Sequence, residues 1–288
     1  MIRVENLTYA YEPGRTPALR NVAFEIRDGA RIALVGPNGS GKTTLLRHLN
    51  GLLLPNEGNV LVDGRNTRDR AALPWIRQKV GMVFQNPDNQ IVGMTVEEDV
   101  AFGPGNLRLP AEEIRRRVDR ALDTVGLRGF AERVPHALSS GEKQLVAMAG
   151  ILAMEPSTVV LDEPTAYLDP AGRSRVREVI QRLHASGVTI IHVTHDMNEV
   201  VNADEVFVLD HGQLAFQDTP SRVFRRNEEL RRIGLEPPAV TALMERLRAG
   251  GLDVRPDVLT MDEACAALMA LLGKDCEGEG QGMEGAKV

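Results

Sequence analysis

Lys42 and Thr43 close the run Gly36-Pro37-Asn38-Gly39-Ser40-Gly41-Lys42-Thr43-Thr44, which spells Gly, four residues, then Gly-Lys-Thr. That pattern holds phosphate for a mechanical reason. Glycines let the backbone turn tightly, so successive N–H groups point into one hollow, and a helix starting at the end of the loop adds its positive end. The hollow suits the phosphates of ATP or GTP. Lys42 reaches the outer phosphates and the Thr43 hydroxyl holds Mg²⁺. All nine residues from Gly36 to Thr44 are therefore candidates for nucleotide binding. The flanks meet the requirement: Arg31–Val35 is a short, mostly apolar run that reads as a buried strand, and Thr44–Leu49 reads as a helix beginning inside the motif.

A second group of residues carries acid chemistry. Thr158-Val159-Val160-Leu161 runs into Asp162 and Glu163. An apolar strand ending in acids presents them where α/β sheets place ligands, at the carboxyl ends of strands. Asp162 fits the carboxylate that a phosphate-loop enzyme keeps near its Mg²⁺. Glu163, one residue on, is placed to polarise a water for attack on the γ-phosphate. Leu138-Ser139-Ser140-Gly141-Glu142 precedes a helix from Lys143 to about Ala153. Small residues at a helix start expose N–H groups and make a second anion site, although the same letters also serve as an ordinary helix cap.

The elements that must position these groups follow from the rest of the chain. Of 288 residues, 43% are apolar and 26% charged, with a net charge of -6. That is the composition of a globular protein with no polyanion-binding surface. No apolar run reaches the ~18 residues of a membrane span. Met1-Ile2-Arg3-Val4-Glu5 reads as a strand start rather than a leader. Cys265 and Cys276 read as free thiols of a reducing compartment.

Residues 1–30 alternate like strands, with Ile2, Val4 and Leu7 in one and Ala18 to Ile26 in another, and Val60–Val62 adds a third. Antiparallel strands are therefore expected around the phosphate-loop strand on its N-terminal side. Val80–Phe84 reads as a buried strand ending at Gln85, followed by a loop of Asn, Asp and Pro. Residues 87–157 read as an inserted, mostly helical block. Thr95 and Glu98 form a capping box there, and Arg115-Arg116-Arg117 lies among acids without interleaved aromatics, as a solvated face does. Residues 158–195 make a strand–helix–strand unit, and Glu205–Leu209 with Gln213–Phe216 a hairpin. Helical patterns over 221–273 form a small appended domain, and the Gly- and Glu-rich residues 274–288 read as disordered. The domain reading is thus 1–220, 221–273 and a tail.

Taken together, the motifs resemble the ATP-binding subunits of ABC transporters. Gly36–Thr43, Gln85, Leu138–Glu142, Asp162-Glu163, Leu168-Asp169 and His195 stand in the family's order and span residues 1 to about 220. Val83–Val92 and Val100-Ala101-Phe102-Gly103-Pro104 resemble, more narrowly, the ATPases of energy-coupling factor transporters, which import vitamins and whose relatives import cobalt or nickel ions. The tail domain, with Pro237-Pro238 and Leu259-Thr260, is similar to that group as well.

The resemblance implies an α/β fold. A RecA-like phosphate-loop core is joined by an antiparallel β subdomain, an inserted helical subdomain and a small C-terminal mainly helical domain. It implies ATP and Mg²⁺ as cofactors, with two subunits sandwiching two ATP molecules head to tail. Ser139 and the Gly141 N–H face the partner's ATP, Gln85 contacts Mg²⁺ and the attacking water, and His195 bonds the γ-phosphate. Glu163, His195, Gln85 and Lys42 are then the catalytic set, and Thr43, Gln85 and Asp162 the metal set. Tyr11 stands where the family stacks an aromatic ring on adenine. Tyr9 competes for that role, since alternation puts both on one face. The implied partners are a second ATPase subunit, a transmembrane coupling protein and a substrate-capturing membrane subunit, with no nucleic acid. The implied place is the cytoplasmic face of the cell membrane.

Three residues depart from the family pattern, Ser140 and Glu142 in the signature and Tyr167 before Leu168-Asp169. Glu142 brings negative charge toward a trianionic group, and Ser140 a side chain where backbone approaches phosphate. They suggest a heterodimer with unequal sites. An ABC-type ATPase of a non-transport process, a weakly hydrolysing nucleotide sensor and an efflux ATPase stay open beside the uptake reading.

Overall fold

The computed structural model describes residues 1–255 and 257–272. They fall into two compact units, Met1–Pro220 and the residues from Ser221 on. Residues 274–288, with Cys276, lie outside the described residues.

The first unit runs β1 (Ile2–Tyr9), β2 (Leu19–Ile26), β3 (Arg31–Val35), α1 (Lys42–Leu49), β4 (Glu57–Val62), β5 (Arg65–Asn66), α2 (Leu73–Lys79) and β6 (Val80–Val83). Next come α3 (Val96–Asn106), α4 (Ala111–Thr124) and α5 (Ser140–Leu152), the inserted helices. β7 (Thr158–Asp162), α6 (Pro170–Ala185), β8 (Thr189–Val193), a short α7 (Met197–Val200) and the hairpin β9 (Glu205–Asp210) and β10 (Gln213–Asp218) complete it.

The strands sort into two sheets, a four-stranded one of order β2-β1-β4-β5 and a six-stranded one of order β10-β9-β3-β8-β7-β6. This corrects the expectation that antiparallel strands surround the phosphate-loop strand. Both sheet neighbours of β3, β8 and β9, run parallel to it, and the antiparallel strands pair among themselves. Burial is the reason. All five residues of β3 are buried, as they must be in a strand covered on both faces, whereas β2 alternates buried and exposed positions and needs only one covered face.

Successive residues of a strand serve opposite faces. Val160 joins a core with α1 and the antiparallel sheet, among Leu45, Leu46, Val4 and Val22. Val159 and Leu161 join a second core with the inserted helices, among Val100, Leu122 and Val146. Each such fully buried aliphatic side chain contributes about 1.5–3 kcal/mol. α3 begins with the anticipated capping box of Thr95 and Glu98. The arginine triplet of α4 sits among acids in space too: Arg116 and Arg117 pair with Glu113, and Arg117 also with Glu155. α2 is not anticipated from the sequence. Pro74 stands in its first turn, where no N–H is needed.

The second unit holds α8 (Pro220–Phe224) apart from its first residue, α9 (Asn227–Arg232), α10 (Ala239–Ala249) and α11 (Met261–Leu271). Its small core gathers Val240, Met244, Val254, Val258 and Ala264. Thr260 and Glu263 cap α11 reciprocally, and Cys265 is an exposed free thiol. No helix among the described residues is long and apolar enough to cross a membrane.

Candidate active site

Four adjacent parallel strands deliver the candidate residues to one edge. β3 ends at the phosphate loop, β8 at Thr194 and His195, β7 at Asp162 and Glu163, and β6 at Gln85. Their registers agree: Leu34 and Asp162 both stand opposite Val193, and Val83 opposite Leu161. The side chains just past these positions emerge side by side.

The phosphate loop leads into α1 through Gly41, whose φ of 102° is open to glycine and costly for other residues, and no side chain caps the helix. At Gly36 a Cβ would stand 2.2 Å from the Leu209 carbonyl oxygen, so the loop hugs β9. The Lys42 ammonium folds over the loop, donating to the Gly36 carbonyl at 2.8 Å and the Pro37 carbonyl at 3.0 Å. Burial lowers its pKa, and the carboxylates of Glu163 and Asp162 oppose that shift. The Ser40 hydroxyl is buried with no hydrogen-bond partner among the described residues. An uncapped helix start, an orphaned hydroxyl and a lysine satisfied only by carbonyl oxygens together fit a polyphosphate, whose oxygens satisfy all three.

Asp162 is buried beside the Thr43 hydroxyl. Burial raises its pKa, and the Thr43 hydroxyl works against that rise. Glu163 follows with a φ of 49°, a left-handed backbone whose N–H donates to the Val193 carbonyl at 3.1 Å. One carboxylate oxygen lies 3.0 Å from His195 Nε2, and the other accepts from Gln85 Nε2 at 2.9 Å. The loop after Gln85 is strapped to α5, with Asp88 on Lys143 at 2.8 Å and Gln90 on the Ala147 carbonyl at 3.4 Å.

Tyr11 lies beyond the end of β1 and is 57% exposed, with its hydroxyl 3.0 Å from the Thr44 hydroxyl. Tyr9 instead packs edge-on against His48, at 4.6 Å between ring centres. The strand stops at Tyr9, so alternation does not extend to Tyr11, yet both side chains meet α1, Tyr9 at His48 and Tyr11 at Thr44. They meet edge to face at 5.1 Å.

Ser139 and Gly141 take no part in the hydrogen bonds around Glu163. Ser139 caps α5 in a reciprocal box, and Glu142 accepts from both its N–H and its hydroxyl at 2.8 Å. Those two bonds hold the Glu142 carboxyl below its ordinary pKa. Tyr167, at a φ of 61°, is 81% exposed, and Asp169 caps α6 through the Gly172 N–H at 2.8 Å. Sequence reasoning missed Thr165, Thr194 and Glu199, which form a buried hydrogen-bonded group beside Glu163 and His195. The one available signal was an acid shortly after His195, in a helix too short to show periodicity.

Comparison with known proteins agrees with this geometry. The ABC transporter family model matches residues 19–166. The cobalt import ATP-binding protein CbiO of Syntrophus aciditrophicus is 51% identical over 270 residues, 94% of this chain and 96% of that protein. The energy-coupling factor transporter ATP-binding protein EcfA1 of Caldanaerobacter subterraneus subsp. tengcongensis is 49% identical over 91% of this chain and 96% of its own length. Among solved structures, CbiO1 from Clostridium perfringens, part of the complex CbiONQ, aligns with a TM-score of 0.73 at 41% identity, covering 85% of this chain and 98% of that one. The ATP-binding cassette MJ0796, a dimer in a post-hydrolysis state with ADP and Pi, aligns with a TM-score of 0.69 at 33% identity, covering 76% and 98%. On the residues at the strand ends and on these likenesses, the chain belongs to the ABC transporter family of ATP-binding proteins.

Proposed function

We propose that this chain is the ATP-hydrolysing subunit of an energy-coupling factor uptake transporter, for a vitamin or a transition-metal ion, acting at the cytoplasmic face of the membrane. The observation that carries the catalytic part is the position of Glu163. Its carboxylate is held between Gln85 and His195, beside an Asp162–Thr43 pair and the Lys42 loop.

In this reading the phosphates lie against the loop from Gly36 to Thr44, and Lys42 gives up its carbonyl partners to neutralise them. Thr43, Asp162 and Gln85 hold Mg²⁺, which supplies further neutralisation at the phosphates. Among the described residues no cluster of three or more His, Cys, Asp or Glu offers a ready metal site, so the ion depends on this mixed set and on the nucleotide. Glu163 takes the proton of the attacking water, and His195 orients the terminal phosphate. Tyr11 stacks on adenine. Ser139 and Gly141 serve the nucleotide of a second subunit, which explains why one chain carries two separate anion-binding helix starts. That subunit is a second copy or a related chain.

A groove of about 560 Å³ supports the membrane coupling. It runs between the β6 edge of the sheet, at Gly81 and Met82, and the helices α3 and α5, at Phe102 and Ile151. Val92 and Phe102 stand exposed in it at 64% and 58%, apolar side chains left to water. Gln90 lines the groove and also bonds the Phe84 N–H, beside Gln85. A cytoplasmic segment of the transmembrane coupling protein seated here would press on the loop that touches Glu163. The cargo is chosen by another membrane subunit.

The test is purification of the tagged full-length chain from membranes in Mg-ATP. A coupling protein, a substrate-capturing subunit and a second ATPase subunit are expected with it. A chain that hydrolyses ATP yet leaves the membrane alone would refute the transport role.

A further inference from the structure

Glu199 is buried, at 4% exposure, on the short helix after His195. A carboxylate in such a place costs several kcal/mol unless it is well partnered, and its partners are specific. The Thr165 hydroxyl donates to one oxygen at 2.9 Å, and the Thr194 hydroxyl donates to the other at 2.8 Å. Arg177 Nε donates to the first oxygen at 2.9 Å.

The two threonines come from the two turns that carry the reacting groups, and Arg177 from α6. Thr165 lies two residues after Glu163, in a turn where the Ala166 N–H donates to the Glu163 carbonyl at 3.1 Å. Thr194 immediately precedes His195, and its hydroxyl also accepts from the Asp196 N–H at 3.0 Å. Asp196 in turn holds the second arm of Arg177, which donates from Nη2 at 2.7 Å. Beyond the sheet, one carboxylate thus joins the turn after β7 to the turn after β8. Glu163 needs such a tie. Its left-handed backbone is disfavoured for a residue with a Cβ and persists only where its surroundings impose it. The His195 contact at 3.0 Å depends on both turns keeping their places.

We propose that Glu199 is a positioning residue for hydrolysis, clamping the Glu163 and His195 turns together through Thr165 and Thr194. Both of its oxygens are taken up by Thr165, Thr194 and Arg177, so it would act through the reacting groups rather than on the nucleotide itself. It sets the distance between Glu163 and His195, and misplacement by about 1 Å costs on the order of 100-fold in rate. The inference rests on the catalytic reading of Glu163 and His195.

The experiment compares Mg-ATP turnover and nucleotide affinity for the full chain, in its assembled complex, among wild type, Thr165→Val, Thr165→Ser, Glu199→Ala and the Glu199→Ala/Thr165→Val double variant. Thr165→Val keeps the side-chain volume and leaves Glu199 paired with Arg177 and Thr194, so it folds even if Glu199→Ala does not. About a tenfold loss of kcat is expected for Thr165→Val, with ATP affinity within twofold of wild type and kcat recovered in Thr165→Ser. Where Glu199→Ala folds, the double variant should be no slower than it. Wild-type kcat in Thr165→Val, or parallel loss of kcat and affinity, would overturn the clamp. A Glu163→Gln control separates the two failures. If that variant still turns over, the catalytic reading falls first; if it is inactive while Thr165→Val is normal, only the clamp falls.

Discussion

Glu163 Oε1 lies 3.0 Å from His195 Nε2, across the gap between two neighbouring parallel strands. The contact joins a base candidate to a phosphate-orienting candidate before any nucleotide is considered. Gln85 engages the other oxygen, so the carboxylate is aimed from both sides.

Removing the charge at that point should abolish chemistry and spare binding. Glu163→Gln keeps the shape and the Gln85 contact but cannot accept the water's proton. Turnover should fall by more than about 100-fold while Mg-ATP affinity holds. Phosphate release and nucleotide titration on the same preparation read both. Unchanged turnover would exclude Glu163 as the base.

The two tyrosines should separate cleanly. Tyr11→Ala should weaken ATP binding by about 1–3 kcal/mol, the worth of one base–aromatic stack, with little effect on folding. Tyr9→Ala, which strips a ring from His48 and the core beneath it, should destabilise the chain by about 2 kcal/mol. Equilibrium binding and thermal unfolding on both variants decide the assignment.

Asp162 has a pKa raised by burial, so the folded chain holds its proton more tightly than the unfolded one. The stability this gives is full below the unfolded carboxylate pKa of about 4 and is lost as pH rises through the folded value. Asp162→Asn should therefore raise the melting temperature of the nucleotide-free chain at neutral pH, with the gain shrinking toward pH ~4. The same variant should lose the Mg²⁺ dependence of ATP binding. Calorimetry across pH and a Mg²⁺ titration test the two halves.

Glu142 has the opposite sign. Ser139's N–H and hydroxyl lower its pKa, so its capping contribution is present above the unfolded value and lost as pH falls through the folded one. Glu142→Gln keeps the box geometry and removes the charge. In the assembled dimer, ATP affinity should rise about fivefold, with stability changed by no more than about 0.5 kcal/mol. Weaker ATP binding in that variant would show that the charge is not opposed to phosphate.

Phe102→Asp should sever the chain from its membrane partner and leave its own ATPase activity intact. Phe102 is exposed in the groove, and its substitution unpacks no core. Recovery of coupling protein in a membrane pull-down is the measurement, with loss of at least about tenfold expected.

Much of the site was legible because its chemistry is local. The phosphate loop is contiguous, and its glycines, Lys42 and Thr43 act within one turn of backbone. Asp162 and Glu163 end an apolar run that could only be a covered strand, and Thr95, Ser139 and Thr260 announce their helices through acids three residues on. The ATP-binding family followed from the order of these motifs. What stayed hidden has a common cause. That the phosphate-loop strand pairs with β8 and β9 rather than with the antiparallel strands beside it in sequence is decided by which faces can be covered, and no local pattern states it. In the same sheet, the pairing of β6 with β7 brings Gln85 to Glu163 from 78 residues away. The pairing of β7 with β8 lets Glu199 reach two turns at once, and the end of β1 at Tyr9 leaves Tyr11 in the open. Residue types determined which chemistry this chain can perform. Parallel register, set by packing on both sides of the sheet, decided which of those residues meet.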